Sequence, residues 1–380
     1  MSYSDVIGHH SFIFDGVRNS AYLRALKRVV TPESIVMDLG AGLGIHGLLA
    51  AKLGAKEVHL VEPTNVIEVA KQIASDNGLD NVHFHQCRAE ELKLSTKVDV
   101  LISVFTGNFL LEEDLLPSLF YARDRFLRAT GTLVPERAIM EVLPVSMPDY
   151  FHLHLDRWSA FPEHAKEHGM PPLVFDSVRK YSVNSLFYGQ RSSFNAVPLA
   201  KGQNLMELDL SAAQVARCDS EVVAEIQESD VCHGWLGWFK MKLGDEWLTT
   251  SGEETSTHWS VVFLPLDEPI TLDKGDRLQL SVQRPEFGDW TWVVEYKGER
   301  QRQSTFLSQV SPLSHVRKLS ENYSPRLDQK GTAAVWVMGK MDGAASVGDL
   351  AEGVRGAFPE SFATHRDALK FVRALSERFS

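Results

Sequence analysis

The feature that most constrains this chain is an apolar run that ends in an acid and a cluster of glycines, IVMDLGAGLG at residues 35–44. Such a pattern is typical of a buried parallel strand that turns tightly into a helix. Glycine permits positive φ and the close approach of a ligand, while the helix that follows points its free N–H groups at the same place. The loop therefore predicts a site for an anionic or adenosine-containing ligand.

Two ligands compete for this loop. Gly42, Gly44 and Gly47 fit the dinucleotide pattern G-x-G-x-x-G, with Glu62 about twenty residues farther along the chain, as that pattern requires. However, Asp38 places an ionised group before the first glycine, which suits a cationic ligand better than a pyrophosphate. S-adenosylmethionine carries an ammonium and a sulfonium group, and Glu62 would accept hydrogen bonds from the two hydroxyls of its ribose. We favour this methyl donor, and keep a dinucleotide, or a turn without a ligand, as alternatives.

Length, charge and cysteine usage limit the remaining possibilities. A chain of 380 residues predicts two or three domains. Its formal net charge of −11 disfavours nucleic acid and anionic membranes as partners. Three scattered cysteines give neither zinc-site nor disulfide spacing, so we predict no metal and a reducing, cytoplasmic location. No apolar run is long enough for a membrane span.

An alternation of strands and helices predicts an α/β fold in the first part of the chain, with a parallel Rossmann-like sheet. An amphipathic helix precedes the glycine loop. The expected strands are 35–39, 58–62, 82–86, 98–103 and 132–136, and the expected helices between them lie around 66–77 and 115–127.

The pattern of apolar and polar residues changes after this sheet. We assign residues 1–145 to the N-terminal helix and ligand-binding domain, 146–180 to an aromatic- and histidine-rich arm, and 181–310 to an antiparallel β-barrel, because its short runs have a period of two. Residues 311–330 are polar and predict a linker. Residues 331–380 form a small separate unit with two amphipathic helices, 347–357 and 366–379.

Four stretches of this chain resemble the protein arginine methyltransferases, over roughly residues 3 to 300. They are DGVR at 15–18, the loop from Asp38 to Gly44 with Glu62, SVFTGNFLLEE at 103–113, and THW at 257–259. The resemblance implies an S-adenosylmethionine-dependent methyltransferase that acts on a peptide or protein, and an arm that forms a homodimer.

The resemblance also implies roles for particular residues. Arg18, Asp38, Gly40, Gly42, Gly44, Glu62 and Glu90 would hold the donor. Asp15 and His258 would form a proton relay, with Trp259 beside it in the substrate pocket. Glu113 matches the second of two glutamates that clamp a guanidinium, whereas Val104 stands at the first. Since half a clamp leaves a buried guanidinium partly unpaired, we expect arginine to be a poor acceptor and N-methylation of another side chain to be favoured.

The last unit resembles a second family. The pattern of Val335-Trp336-Val337, Asp342-Gly343 and the helix from His365 is similar to PqqD-like winged-helix domains, which hold leader peptides. This resemblance implies an α+β unit that binds a peptide by adding it to a sheet edge. Two alternatives remain for the whole chain: a methyltransferase of a small metabolite or another nucleophile, and a non-catalytic scaffold that binds the donor.

Overall fold

A computed structural model describes residues 5–253, 256–310, 312–318 and 320–380. Residues 1–4, 254–255, 311 and 319, which fall in the expected N-terminal, β and linker segments, lie outside the described residues. The chain folds as two compact units, 1–309 and 310–380. In the described part of the chain, every helix is too short or too polar to cross a bilayer.

A five-stranded parallel sheet with the order β3-β2-β1-β4-β5 forms the first half of the larger unit. This finding confirms the α/β, Rossmann-like prediction. Its strands are β1 (Ile35–Leu39), β2 (Glu57–Val61), β3 (Val82–His85), β4 (Val98–Ser103) and β5 (Leu127–Val134). The helices around it are α1 (His10–Ile13), α2 (Gly16–Val29), α3 (Ile45–Lys52), α4 (Ile67–Asp76) and α5 (Leu116–Phe126).

Two antiparallel sheets form the second half, with the orders β7-β13-β11-β6-β8 and β10-β14-β15-β16; β12 pairs with β11, and β9 with β6. Their strands are β6 (Arg137–Ser146), β7 (Phe187–Gly189), β8 (Val197–Pro198), β9 (Gln203–Asp209), β10 (Cys218–Glu225), β11 (Asp230–Leu243), β12 (Glu246–Thr249), β13 (Val261–Leu272), β14 (Arg277–Arg284), β15 (Thr291–Tyr296) and β16 (Glu299–Ser304). The antiparallel prediction is confirmed, but the hydrogen-bonded ladders of the described strands do not close into the single barrel that we expected.

A bulge in β13 that contains two prolines interrupts its ladder with β11. The ladder between β11 and β13 shifts register between Cys232 and Gly234, opposite Pro265 and Ile270. Proline lacks an N–H group and cannot continue a ladder. The free N–H groups of Asp267 and Glu268 in this break instead donate to the side chain of Gln301 on β16, at 2.9 and 3.0 Å. A side chain therefore joins the two sheets where backbone pairing stops.

The segment that we predicted to be an arm contains the short α-helices α6 (Pro148–His154) and α7 (Phe161–Glu167), the 3-10 helix Asp156–Trp158 and most of α8 (Asp176–Ser182). Two further short helices, α9 (Arg191–Phe194) and α10 (Thr305–Ser308), lie within the β half. The arm exposes several large apolar side chains, which are Leu153, Trp158, Met170, Leu173 and Val174.

The C-terminal unit corrects the winged-helix prediction. Its described elements are all helical: α11 (Leu313–Lys318), which falls inside the expected linker, α12 (Gln329–Met338), α13 (Val347–Ala357) and α14 (His365–Phe379). Val335-Trp336-Val337 lies in α12, where Asp328 caps the helix by accepting a hydrogen bond from the N–H of Gly331 at 2.7 Å. Ala333 and Val337, one helical turn apart, are fully buried in the core of the unit. The PqqD-like resemblance is therefore not supported by the secondary structure of this unit.

One face of the parallel sheet carries a histidine cluster that we did not anticipate. The buried ring of His59 on β2 lies against His83 and His85 on β3, with Nδ1 of His59 3.1 Å from Nε2 of His85. Burial, together with the neighbouring His85 and His83, lowers the pKa of His59 to about 4 from an ordinary value of 6.5. His59 is therefore neutral in the folded protein at neutral pH.

We expect this cluster to make the fold acid-sensitive. Because the folded pKa of His59 lies below the unfolded one, its contribution to stability is complete above pH 6.5 and is lost as the pH falls towards 4, by at most about 3 kcal/mol. His59→Leu should flatten the dependence of the thermal midpoint on pH between 7 and 5, whereas His152→Gln, at an exposed histidine outside the cluster, should not. An equally steep acid loss in His59→Leu would contradict this account.

Candidate donor and acceptor site

The glycine loop sits at the carboxyl end of β1, as the sequence predicts. Gly40, Gly42 and Gly44 all have positive φ, at +67°, +54° and +82°. A Cβ on Gly40 would lie 2.1 Å from a ring carbon of Phe105, and one on Gly42 would lie 2.7 Å from a ring carbon of His9. The loop is therefore held close to two aromatic rings and tolerates no side chain at these positions.

Asp38 at the loop is fully buried, and its carboxylate accepts a hydrogen bond from the N–H of Gly47 at 2.7 Å. Burial raises the pKa of Asp38 to about 7, and Glu62 adds to the rise; the Gly47 N–H and the positive charge of Arg18 oppose it. Asp38 is thus only partly ionised at neutral pH before a cation arrives, which the sequence alone does not reveal.

Glu62 follows β2 directly and is also buried. One of its carboxylate oxygens accepts from the N–H of Gly42 at 3.0 Å, and the other accepts from the N–H of Thr64 at 2.9 Å. These bonds fix the side chain beside the loop, and a carboxylate with two acceptor positions still open can take the two hydroxyls of a ribose.

Arg18 is buried near the start of α2. Its side chain donates to the carbonyl of Phe12 at 2.6 Å and to the amide oxygen of Asn19 at 3.0 Å. Burial lowers its pKa, although Asp15 and Asp38 act in the opposite direction. A guanidinium held among these groups can bind the carboxylate end of an amino-acid-like donor. The fit of donor to site thus rests on a glycine cradle and on buried charges of both signs.

Asp15 and His258 meet across 243 positions of sequence, as the resemblance implies. Nδ1 of His258 lies 2.7 Å from a carboxylate oxygen of Asp15, and the same oxygen accepts from the backbone N–H of His258 at 2.9 Å. The other oxygen caps α2 by accepting from the N–H of Arg18 at 2.8 Å. Because Asp15 accepts the Nδ1–H, the lone pair of the imidazole is on Nε2.

Both members of this pair are tuned by their surroundings. Burial lowers the pKa of His258; the hydrogen bond to Asp15 recovers only part of the shift, and Arg18 lowers the pKa further. Burial alone would raise the pKa of Asp15, but the hydrogen bonds from His258 and Arg18 outweigh it and the pKa lies below its ordinary value. At neutral pH the pair is therefore a carboxylate and a neutral imidazole, which is the form of a general base.

The loop at 103–113 carries the two positions of the expected clamp. Val104 is half-buried against the main core, and its neighbour Phe105 covers Gly40. Glu113 is exposed, and its side chain packs over Gly107, where a Cβ would lie 2.8 Å from Cγ of Glu113. Glu112, one residue earlier, instead accepts the indole N–H of Trp290 at 2.7 Å. Thus Glu113, which we matched to the second clamp glutamate, is not the glutamate that binds Trp290.

Side chains of the β half hold the loop of residues 103–113 in place. The indole N–H of Trp259, next to the His258 ring, donates to the carbonyl of Thr106 at 2.8 Å. Asp114 takes two hydrogen bonds of 2.8 Å from the buried guanidinium of Arg284. The loop and the Asp15–His258 pair are consequently part of one connected arrangement.

The sequence assigns Glu90 to the donor site and does not single out His9 or Phe12. Glu90, expected at the donor, is exposed and accepts a hydrogen bond from the hydroxyl of Ser118 at 2.6 Å. His9 and Phe12 were not predicted; His9 is buried against Gly42, and Phe12 packs edge-on against His258 with ring centroids 4.8 Å apart. Their aromatic cluster directly before Asp15 is the signal that would have indicated them.

Comparison with known proteins agrees with this geometry. A family described as "Methyltransferase domain" matches residues 30–143, and "Arginine methyltransferase oligomerization subdomain" matches residues 136–297. Protein arginine N-methyltransferase 2 of Xenopus tropicalis is 29% identical over 78% of this chain and 72% of its own length. Protein arginine N-methyltransferase PRMT10 of Arabidopsis thaliana is 26% identical over 74% of this chain and 80% of its own length.

Solved structures are similar as well. The Trypanosoma brucei PRMT1 enzyme-prozyme heterotetrameric complex with AdoHcy gives a TM-score of 0.71 at 25% identity, covering 80% of this chain and 99% of that chain. Arabidopsis thaliana protein arginine methyltransferase 10 gives a TM-score of 0.68 at 23% identity, over 80% and 99% of the two chains, and supports the fold alone. These findings support S-adenosylmethionine as the ligand of the glycine loop.

The pKa of Asp38 predicts how donor binding depends on pH. A cationic donor favours the ionised carboxylate, so its apparent affinity should rise with pH through about 7. The ionised fraction gives about a ten-fold gain between pH 6 and pH 8. Calorimetric titration with S-adenosylmethionine at both values measures this gain, and Asp38→Asn, which keeps an acceptor for Gly47, should abolish it. A ten-fold change that persists in Asp38→Asn would assign the pH dependence to another group.

Proposed function

We propose that the acceptor of this chain is a side-chain nitrogen of a peptide or protein, other than the guanidinium of arginine. The chain is an S-adenosylmethionine-dependent class I methyltransferase similar to the protein arginine methyltransferases. The observation that carries the proposal is the combination of an assembled Asp15–His258 pair with an apolar Val104 in the loop of residues 103–113, which we call the acceptor loop. The pair argues for chemistry rather than for a scaffold, and Val104 argues against arginine.

The residues of the donor side have separate tasks in this proposal. Arg18 would bind the carboxylate of S-adenosylmethionine, Glu62 would accept its ribose hydroxyls, and Asp38 would face its positive charge. The donor supplies an electrophilic methyl group bound to a sulfonium. Everything else that the reaction requires, namely orientation and removal of a proton, falls to the side chains of this chain.

His258 would act as the general base. Its neutral imidazole, with the lone pair on Nε2, can take the proton that the acceptor nitrogen loses as it gains the methyl group. Asp15 would hold the tautomer and stabilise the imidazolium that forms. Proton removal of this kind contributes about 10²–10⁴-fold to a rate.

The acceptor pocket would have one acidic and one apolar side. Glu113 offers a carboxylate, whereas Val104 and the ring of Phe105 offer carbon. A guanidinium presents five N–H donors in a plane and leaves several unpaired in such a pocket, at a cost of about 1–3 kcal/mol for each buried group. An imidazole or an amide has fewer donors to satisfy. The same apolar side also fits a small metabolite, which is the second candidate acceptor.

Partners follow from two further segments. We propose that the arm, with its exposed Trp158, Leu173 and Val174, forms a homodimer interface, and that the C-terminal unit holds a peptide substrate. Since that unit is helical in its described residues, a peptide would bind in a groove between helices rather than as an added strand. All three cysteines are free, in keeping with the cytoplasmic location that we propose.

Two substitutions test the base. Asp15→Asn keeps the cap on Arg18 but weakens the hold on His258, and His258→Ala removes the base. Each should lower turnover by about 10²-fold or more, with little change in donor affinity. Turnover is measured as transfer of labelled methyl to a peptide library, and donor affinity by calorimetry.

The double variant gives the sharper test of the relay. Members of one unit fail together, so Asp15→Asn with His258→Ala should be about as slow as His258→Ala alone. A double variant whose loss equals the product of the two single losses would show that the residues act independently.

Substitution of Val104 tests the acceptor. Val104→Glu restores a second carboxylate and should raise methylation of arginine peptides at least about ten-fold, because one more charge-assisted hydrogen bond is worth about 1.5–3 kcal/mol. Val104→Gln, which has the shape of glutamate without its charge, is the matched control and should not raise it. If the native chain already methylates arginine peptides at about 1 s⁻¹ or more, arginine is its acceptor and the proposal is wrong.

A further inference from the structure

We infer that the arm carries a binding site for a divalent transition-metal ion, formed by His164, Glu167 and His168 at the end of α7. One ligand atom from each of these side chains lies within 4.8 Å of the others. The expectation of no metal site rested on cysteine spacing and overlooked this H-x-x-E-H stretch. The inference concerns the arm alone and is independent of the proposed acceptor.

The spacing of the three residues suits a metal. Residues three and four apart lie on the same face of a helix, so His164 is a neighbour of both Glu167 and His168. The two imidazole rings already lie close, with centroids 4.3 Å apart. Tetrahedral zinc, with ligand bonds of about 2.0–2.2 Å, needs its ligand atoms about 3.3 Å apart. The side chains therefore need only small χ rotations, and Glu167 and His168 are exposed enough to make them.

The backbone holds His168 in place beyond the last helical residue. The N–H of Gly169 donates to the carbonyl of Lys166 at 3.2 Å, and the N–H of Met170 donates to the carbonyl of Ala165 at 2.8 Å. With Gly169 at φ +66°, these two bonds form a Schellman cap. Ala165 is fully buried and anchors the opposite side of the helix. The site is therefore built on a fixed turn rather than on a loose end.

A hydrogen bond also prepares one ligand. Nδ1 of His168 lies 3.0 Å from the carbonyl oxygen of His164. A carbonyl only accepts, so Nδ1 carries the hydrogen and Nε2 keeps the lone pair. Metal-binding histidines commonly have such a partner on the other ring nitrogen, which fixes the tautomer and raises the basicity of the ligand.

The ligand set selects the class of ion. Two imidazoles and one carboxylate suit Zn²⁺, Ni²⁺ or Cu²⁺, with water completing the coordination. Mg²⁺ and Ca²⁺ prefer six or more oxygen ligands and should not bind here.

Calorimetry on the full, untagged, chelator-treated chain tests the site with zinc chloride, and with magnesium chloride as the comparison ion. We expect one Zn²⁺ per chain and no Mg²⁺. Loss of an outer partner alone costs about 10–100-fold in metal affinity, so His164→Ala with His168→Ala should weaken zinc binding by about 100-fold or more. Alanine favours helix, so α7 should stay folded. The matched control is His152→Ala with His154→Ala on α6, which should bind like the native chain.

A second measurement separates loss of the site from loss of folding. Without zinc, the double variant should have the native thermal midpoint; with zinc, only the native chain and the control should gain stability, because a ligand that binds the folded state stabilises it. Zinc binding of undiminished affinity in His164→Ala with His168→Ala, or no saturable binding by the native chain below about 1 mM, would overturn the inference.

Discussion

The rest of the active centre depends on one carboxylate, that of Asp15. It accepts three hydrogen bonds, from the N–H of Arg18, from the N–H of His258 and from the ring of His258. The first caps the start of α2, where Arg18 lies. The other two bind the β half to that helix start and orient the imidazole of His258. Because the group is buried, these bonds act where water does not compete. One side chain thus connects Arg18, which we propose binds the donor, with His258, which we propose takes the proton, and joins the two halves.

Unlike the Asp15 arrangement, the acceptor loop is held by many contacts around a strained backbone. Phe109, Leu110 and Asp114 have positive φ, which costs energy in residues other than glycine. Phe109 and Leu110 are buried, and Gly237 on β11 leaves room for the ring of Phe109, since a Cβ there would lie 2.4 Å from it. Arg284 then fixes Asp114. A loop held by so many contacts should keep its shape when one side chain changes, which supports the proposal that Val104 makes one side of the acceptor pocket apolar.

Local patterns were enough to predict the parallel sheet and the glycine loop, because strand periodicity and glycine spacing express themselves over a few residues. The Asp15–His258 contact could be expected only through resemblance. The Arg284–Asp114 pair, the side-chain bridge from Gln301 and the histidine cluster on β2 and β3 left no local trace, since each depends on strands that meet after folding. In the C-terminal unit the apolar Val335-Trp336-Val337 did not indicate its conformation, because the cap from Asp328 and the burial of Val337 decide for helix.

The charges near the acceptor loop support the kind of acceptor nitrogen that we propose. Of two adjacent glutamates, Glu112 accepts the indole N–H of Trp290, and Glu113 is the one that we propose faces the acceptor. When a neutral nitrogen gains a methyl group it becomes a cation until its proton leaves, and a single carboxylate beside a neutral imidazole is sufficient to stabilise that cation and receive the proton. A guanidinium enters already charged and must lose its proton as well, so in the function that we propose it would need more negative charge than Glu113 provides next to the carbon side of Val104.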